Sequence, residues 1–322
     1  MKWLLKRWWH KGRRWARRVA QPSIAPRAAV LMYHRIAEPR NDPWDMCVTP
    51  DHFRQQVEVL RERCEVVPLE RLKERLASPR RKPLVSITFD DGYRDNLLVA
   101  KPILANAGLP ATVFLATDYL DSGTPYWWDI LADLVTEPSL PASLSVSAGG
   151  REMAWAGSNR SQLLATLWEW LVDMPAEARD EALRMLCSWA GHQPAFDPMR
   201  LPMTRQQVAH LIDEGMIGIG CHTAGHPRMT TLDHDACLDE VLRSRTVCMA
   251  LGATEPCLFA YPYGEHAALP RSVVQAAGFG MACTSDEGLV QPGSDELLLP
   301  RLPVHNWPGW RFDAWLRHYW CA

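Results

Sequence analysis

Two adjacent carboxylates, Asp90 and Asp91, directly follow the apolar, β-branched run of residues 84–89. Such a run is typical of a short buried strand, and buried strands do not normally end in paired acids. Because successive strand residues point to opposite faces, both carboxylates can share one site only if the strand breaks there, and Gly92 permits that break. Asp also suits a helix N-terminus, so the pair alone is equally compatible with a structural role at the start of the next helix.

Two histidines, His222 and His226, stand at the end of a second apolar segment with three residues between them. Two imidazoles and one carboxylate suit a divalent metal that keeps open positions for water and substrate, and Asp91 is the natural third ligand. A lone H-x-x-x-H pattern is weak evidence, because two histidines in a surface loop would look the same. In combination with the acidic pair, it predicts a metal site on Asp91, His222 and His226.

These residues follow segments that alternate between strand-like and helix-like patterns. The strand-like segments are 28–34, 84–89, 111–117, 217–222, 257–262 and 280–285, and the helix-like ones are 51–63, 95–106, 233–250 and 270–277. Strand and helix in turn imply parallel βα units. In an α/β barrel the carboxyl ends of the strands line one face, where active sites are built. The polar residues at those ends are His34, Asp90, Asp91, Asp118, His222, Tyr263 and Asp286.

A Trp-rich segment of mostly helical pattern, residues 118–205, interrupts this alternation. We interpret it as an insertion within a domain of residues 26–322. Trp127 and Trp128 lie in it, and Trp128 is our candidate for a sugar-stacking platform. The alternative is that at least one of the two indoles packs in the core of the insertion.

Six stretches of the chain resemble the polysaccharide deacetylase family, carbohydrate esterase family 4, whose domain is also called the NodB homology domain. They are LMYHRI, SITFDDGYRDN, GLPATVFLAT, IGIGCHTAGHPRM, FAYPYG and LPRLPV, and the resemblance covers about residues 28–306. It implies a distorted (β/α)7 barrel, a divalent metal that is often zinc, and hydrolysis of N-acetyl groups on amino sugars.

The resemblance also implies roles for individual residues. Asp90 would be the general base beside the proposed metal ligands, so that one carboxylate holds the metal while its neighbour accepts a proton from the attacking water. The backbone N–H of Tyr263 would stabilise the oxyanion. Pro262 and Gly264 fit a tight turn that presents this amide, and Pro262 would therefore border the substrate.

Two departures from the family pattern leave roles open. Many members pair the catalytic aspartate with an arginine whose place here is taken by Ala260, and Arg301 is either its replacement or part of a surface ion pair. The family's general acid is usually a late histidine in an L-x-x-H motif, which residues 302–305 match. His305 could equally cap a loop, and His34 is the other candidate, near the substrate or in the core.

The composition bears on the size of the core and on the cellular compartment. With 322 residues and 47% hydrophobic content, the chain can bury a large core. Nine cysteines without any C-x-x-C pair favour a reducing compartment, so we expect a cytoplasmic location.

Residues 1–25 form a basic amphipathic segment, and its first 18 residues hold eight Lys and Arg and no acid. Four tryptophans accompany them, so we expect residues 1–20 to contact an anionic membrane from the cytoplasmic side, or else to be a basic tail. The segment is too polar to span a bilayer. The acidic body lacks a recognisable nucleic-acid-binding module, and we expect no nucleic-acid partner.

We therefore predict a metal-dependent hydrolase that removes N-acetyl groups from an amino sugar in a polysaccharide, oligosaccharide or lipid-linked precursor. One alternative is a deformylase or O-acetyl esterase on the same barrel. The other is a catalytically inactive carbohydrate-binding module, which Ala260 favours and the intact Asp90, Asp91, His222 and His226 oppose.

Overall fold

The computed structural model describes residues 27–38, 41–191 and 197–321. The predicted basic segment, residues 1–25, lies outside this part of the chain. Within it the chain forms two compact units. One holds residues 27–38, 44–123 and 202–321, and the other holds residues 41–43, 124–191 and 197–201.

The described chain contains short strands and helices in an order close to strand–helix alternation. The strands are β1 (Ala28–Tyr33), β2 (Arg35–Ile36), β3 (Cys47–Val48), β4 (Glu65–Val66), β5 (Leu84–Phe89), β6 (Ala111–Leu115), β7 (Ser143–Ala148), β8 (Arg151–Ala156), β9 (Ile217–Cys221), β10 (Leu258–Ala260), β11 (Met281–Glu287) and β12 (Leu299–Pro303). The α-helices are α1 (Pro50–Arg63), α2 (Leu72–Leu76), α3 (Lys101–Ala107), α4 (Trp127–Leu134), α5 (Arg160–Leu171), α6 (Ala176–Ala190), α7 (Arg205–Ile212), α8 (His234–Ala250), α9 (Ala268–Ala276) and α10 (Gly309–Cys321).

Seven parallel strands of the first unit close into a barrel. Their order around it is β1, β5, β6, β9, β10, β11 and β12, which is their order along the chain, and β1 closes the ring by pairing with both β5 and β12. The short strand β4 adds to the outside of β5. Strands β1, β5 and β6 are buried throughout, as expected for a parallel sheet covered by helices. The predicted (β/α)7 barrel is confirmed.

One barrel strand, β12, was not predicted as a strand. It carries two prolines, Pro300 and Pro303, and proline normally argues against an interior strand because it cannot donate to the ladder. Here β12 pairs with β1 and β11, and its register with β1 aligns Leu302 with Leu31. This strand brings Arg301 into the barrel.

The second unit contains a hairpin as well as helices. Strands β7 and β8 pair antiparallel around Gly149 and Gly150, both of which have positive φ. The alternating burial of β7 is typical of a half-exposed strand. The prediction of a mostly helical segment therefore missed this hairpin. Helices α4, α5 and α6 belong to the same unit.

No helix among the described residues is long and apolar enough to cross a membrane.

Candidate active site

Three side chains converge at the carboxyl end of the barrel with the spacing of metal ligands. Asp91 Oδ1 lies 3.5 Å from His222 Nε2 and 3.4 Å from His226 Nε2, and the two imidazole nitrogens are 3.2 Å apart. Donor atoms about 2.1 Å from a tetrahedral ion stand about 3.4 Å apart, so the three atoms fit a divalent cation. All three side chains are buried. A cation held by these three residues would keep coordination positions for water and substrate.

Contacts behind the ligands fix their orientation. His222 Nδ1 lies 2.7 Å from the carbonyl oxygen of Ala260, which directs Nε2 toward Asp91. Burial lowers the pKa of His222, which favours the neutral imidazole that a metal ligand requires.

Backbone strain is concentrated around the same site. Among the described residues, six non-glycine residues have a positive φ, and they are Asp45, Asp91, Asp121, Thr223, His226 and Tyr263. Two of the three candidate ligands are in this set. A left-handed conformation costs a non-glycine residue about 1–3 kcal/mol, and such strain persists where the surrounding structure requires it. At Asp91, φ of 74° breaks the extended path after β5, as the shared site requires.

Asp90 points into the barrel interior, where it pairs with Arg301. Both guanidinium NH2 groups donate to the carboxylate at 2.7 Å, in a bidentate geometry, and both side chains are buried. Arg301 is held in turn by the carbonyl oxygen of Thr284 at 2.8 Å and the hydroxyl of Thr88 at 3.3 Å. Arg301 is therefore an internal partner of Asp90, and not part of a surface ion pair.

The environment keeps Asp90 ionised. Burial by itself would raise the pKa of this carboxyl, but the charge and hydrogen bonds of Arg301 outweigh burial and hold the pKa well below its ordinary value. Asp90 can thus accept a proton at neutral pH, and it is the residue next to the candidate metal ligand Asp91.

The turn after β10 places Tyr263 beside the histidines. The ring of Tyr263 is 4.7 Å from that of His226, centroid to centroid, and the residue lies in the short turn Pro262–Gly264 with φ of 57°. Gly264 is required there, because an added Cβ would stand 1.8 Å from Ser285 Oγ. Pro262 is buried in the same turn, so its predicted contact with substrate stays a prediction.

Both candidate general acids lie at the carboxyl end of the barrel. His34 directly follows β1, and its Nε2 is 3.9 Å from Asp90 Oδ2. His305 follows β12, and its Nδ1 is 2.6 Å from Asp45 Oδ2. No sequence pattern pointed to Asp45. Its contact with His305 and its positive φ of 55° are visible only in the structure.

Trp128 belongs to the second unit and is buried there. Its ring stacks on Tyr126 at 4.4 Å with an interplanar angle of 9°, and it meets Trp127 edge to face at 5.7 Å. Trp128 is 3% exposed, so its environment is that of a core residue. These contacts lend no support to the sugar-stacking role that we predicted.

The closed parallel barrel thus carries a buried carboxylate and an Asp-His-His cluster together at its carboxyl end. The model of the family described as polysaccharide deacetylase matches residues 77–145 and 180–282, more than half of the chain. The chain belongs to the polysaccharide deacetylase family, as its sequence motifs predicted. It is accordingly a hydrolase of carbon–nitrogen bonds in N-acetylated sugars.

Solved structures share the fold at low sequence identity. Deacetylase PplD from Streptococcus pyogenes, solved in complex with acetate, aligns with a TM-score of 0.61 and 17% identity over 92% of this chain and 99% of that chain. A de-N-acetylase from Aggregatibacter actinomycetemcomitans aligns with a TM-score of 0.58 and 14% identity, over 91% of this chain and 99% of that chain. IcaB from Ammonifex degensii aligns with a TM-score of 0.58 and 17% identity, over 90% of this chain and 97% of that chain. No curated relative matches the sequence.

Proposed function

We propose that this protein is a metal-dependent N-deacetylase acting on an N-acetylhexosamine unit of a glycan, oligosaccharide or lipid-linked precursor. The observation that carries the proposal is the adjacency of two differently bound carboxylates. Asp91 faces two histidine nitrogens at metal-ligand spacing, whereas Asp90 faces Arg301. One strand end therefore supplies both a metal ligand and a base.

We propose Asp91, His222 and His226 as the residues that hold a divalent cation, with zinc as the expected ion. A cation there would supply Lewis-acid chemistry, which polarises the amide carbonyl and makes water a stronger nucleophile near neutral pH. The converging donor atoms, and the burial that lowers the pKa of His222, support this assignment.

The remaining steps are assigned to this chain's own groups. Asp90 accepts the proton from the attacking water, since it is ionised and fixed by two hydrogen bonds. Arg301 holds this carboxylate in place. In many family members an arginine at the place of Ala260 has that role. The backbone N–H of Tyr263 donates to the oxyanion that develops on the carbonyl.

A protonated histidine must then deliver a proton to the leaving amine, because a free amide anion is too basic to depart. We propose His305 for this step, since it lies at the carboxyl end of the barrel, where its Nδ1 is 2.6 Å from Asp45 Oδ2. We assign His34, whose Nε2 is 3.9 Å from Asp90 Oδ2, to substrate binding.

The experiment that tests the proposal combines metal analysis of the purified protein with product analysis. The panel contains N-acetylhexosamine oligomers, lipid-linked N-acetyl sugars, and matched N-formyl and O-acetyl compounds. We expect bound metal and release of acetate from an N-acetyl substrate. Formate release, or ester cleavage alone, would establish the alternative hydrolase. A metal-containing protein inactive on every compound would favour a binding module.

We further propose that residues 1–20 attach the enzyme peripherally to an anionic membrane on the cytoplasmic side. The support is their eight basic side chains and four tryptophans, a residue type that prefers the headgroup region. The full chain should co-sediment with anionic vesicles more than a variant starting at Pro26, and salt should weaken the difference without abolishing it. Equal sedimentation would remove the membrane role.

A further inference from the structure

The loop that joins the two proposed histidine ligands, residues 222–226, is strained. Thr223 and His226 have φ of 60° and 55°, in the left-handed region that disfavours side chains. One contact within the loop opposes the strain, because the backbone N–H of His226 donates to Thr223 Oγ1 at 3.1 Å. The amides midway along the loop, those of Ala224 and Gly225, are bound from outside it.

Glu240 on helix α8 binds both of those amides. Its Oε2 accepts hydrogen bonds from the N–H of Ala224 at 3.0 Å and from that of Gly225 at 2.8 Å. The side chain of Glu240 is only 17% exposed. The helix and the loop are close enough that a Cβ added to Gly225 would stand 3.2 Å from Glu240 Oε1. A single carboxylate therefore fixes the middle of the loop.

The turn after β6 holds the other edge of the loop. The N–H groups of Thr117 and Asp118 donate to the carbonyl oxygens of Thr223 and Ala224, at 3.2 and 3.0 Å. Arg243, one helical turn beyond Glu240, joins the two sides: it forms an ion pair with Asp118 and lies 3.7 Å from Glu240 Oε1. The histidine loop is thus held between Glu240 and the Thr117–Asp118 backbone.

We propose that Glu240 is a positioning residue for metal binding: by holding the amides of Ala224 and Gly225 it sets the spacing of His222 and His226, and hence the affinity of the site for a divalent cation. This inference rests on the metal site of the proposed function. Groups that orient metal ligands without touching the metal contribute about 10–100-fold to affinity, so a variant without the carboxylate should lose affinity on that scale.

The experiment measures Zn²⁺ binding to the full chain by competition with a chromophoric chelator. Glu240→Ala should weaken Zn²⁺ binding about 10–100-fold. Glu240→Gln keeps an acceptor oxygen but not the charge, so its loss should be smaller. The matched control is Asp239→Ala, one position earlier on α8, where the side chain is 63% exposed and contacts Arg243. It should bind Zn²⁺ like the wild type.

Folding is monitored by circular dichroism and by the unfolding midpoint in excess chelator. Should Glu240→Ala not fold, Glu240→Asp replaces it, because the shorter side chain keeps the charge but cannot reach both amides. Folded Glu240→Ala or Glu240→Asp that binds Zn²⁺ as tightly as the wild type would overturn the inference while leaving the metal site intact. A wild-type chain that binds no Zn²⁺ would remove the site and the role of Glu240 together.

Discussion

The interior of the proposed site and its rim are built in different ways. The interior residues Asp90, Asp91, His222, His226 and Arg301 are each at most 5% exposed and are fixed by barrel strands or by loops tied to them. At the rim, the side chains of His34, His305 and Asp45 are 21%, 35% and 58% exposed. In the mechanism that we propose, metal binding and proton abstraction would therefore rest on buried contacts, whereas proton donation would rest on groups that water can reach.

The largest effect is expected from removal of an interior ligand. His222→Ala should abolish both bound metal and hydrolysis, because the site loses one of three protein ligands. Metal content and acetate release are measured on the same preparation. The control is His234→Ala, which removes an exposed histidine at the start of α8 and should change neither. Hydrolysis at the wild-type rate by metal-free His222→Ala protein would refute the metal dependence of the reaction.

Loss of the interior ion pair should be the next largest effect. Arg301→Met leaves the Asp90 carboxylate buried without its partner and should lower the free energy of unfolding by about 3–5 kcal/mol. Because Arg301 is what holds the pKa of Asp90 down against burial, that pKa should rise and the acid limb of the pH–rate profile should move to higher pH.

Urea unfolding and the pH dependence of kcat/KM measure the two parts of this prediction. Arg271→Met is the control, since Arg271 pairs with Asp295 at the surface and should affect neither quantity noticeably. An unchanged acid limb in Arg301→Met would mean that the limb reports a group other than Asp90.

Substitutions at the rim should have smaller effects, and they should distinguish the role of His305 from that of His34. If His305 donates the proton, His305→Ala should lower kcat by about 10²-fold with metal retained. His34→Ala should act mainly on KM, through contacts with the sugar. Steady-state kinetics on one defined N-acetyl substrate decide between the roles. The reverse result, with kcat lost in His34→Ala and retained in His305→Ala, would assign the acid to His34.

The smallest effect is expected from Asp45→Asn, which keeps the shape of the side chain beside His305 but removes its charge. Turnover should fall less than in His305→Ala. In a double-mutant cycle Asp45→Asn should have no further effect once His305 is alanine, because it acts only through that ring. Independent, additive losses would show that Asp45 does not work through His305.

Sequence patterns predicted the interior well, for a physical reason. Buried parallel strands are apolar throughout, so a carboxylate pair or a histidine at a strand end is conspicuous, and the barrel brings strand ends together. These patterns were therefore sufficient to place Asp91, His222 and His226 in one cluster. The contact of Arg301 with Asp90 could only be raised as one alternative, because the prolines of β12 concealed the strand that carries the arginine.

The rim and the second unit were harder to predict. Asp45 lies 260 residues before His305 in the sequence, in a segment without regular alternation, so nothing local connects the two. The hairpin β7–β8 did leave a signal, since residues 143–156 alternate around Gly149 and Gly150, but the strong helical patterns on its C-terminal side obscured it. Trp128 is a different case: a paired tryptophan suggested a sugar platform, and because the structure places its ring in a core environment, that role stays a prediction.

The proposed mechanism depends on a division of roles between Asp90 and Asp91, and a paired measurement on two variants can test that division. Asp90→Asn and Asp91→Asn are nearly isosteric changes at adjacent positions, and metal content and turnover are determined for both proteins. We expect Asp90→Asn to retain metal but to lose about 10²-fold or more in turnover, because the proton acceptor is gone, whereas Asp91→Asn should lose metal and turnover together. Loss of metal in Asp90→Asn, with full metal content in Asp91→Asn, would contradict this division of roles.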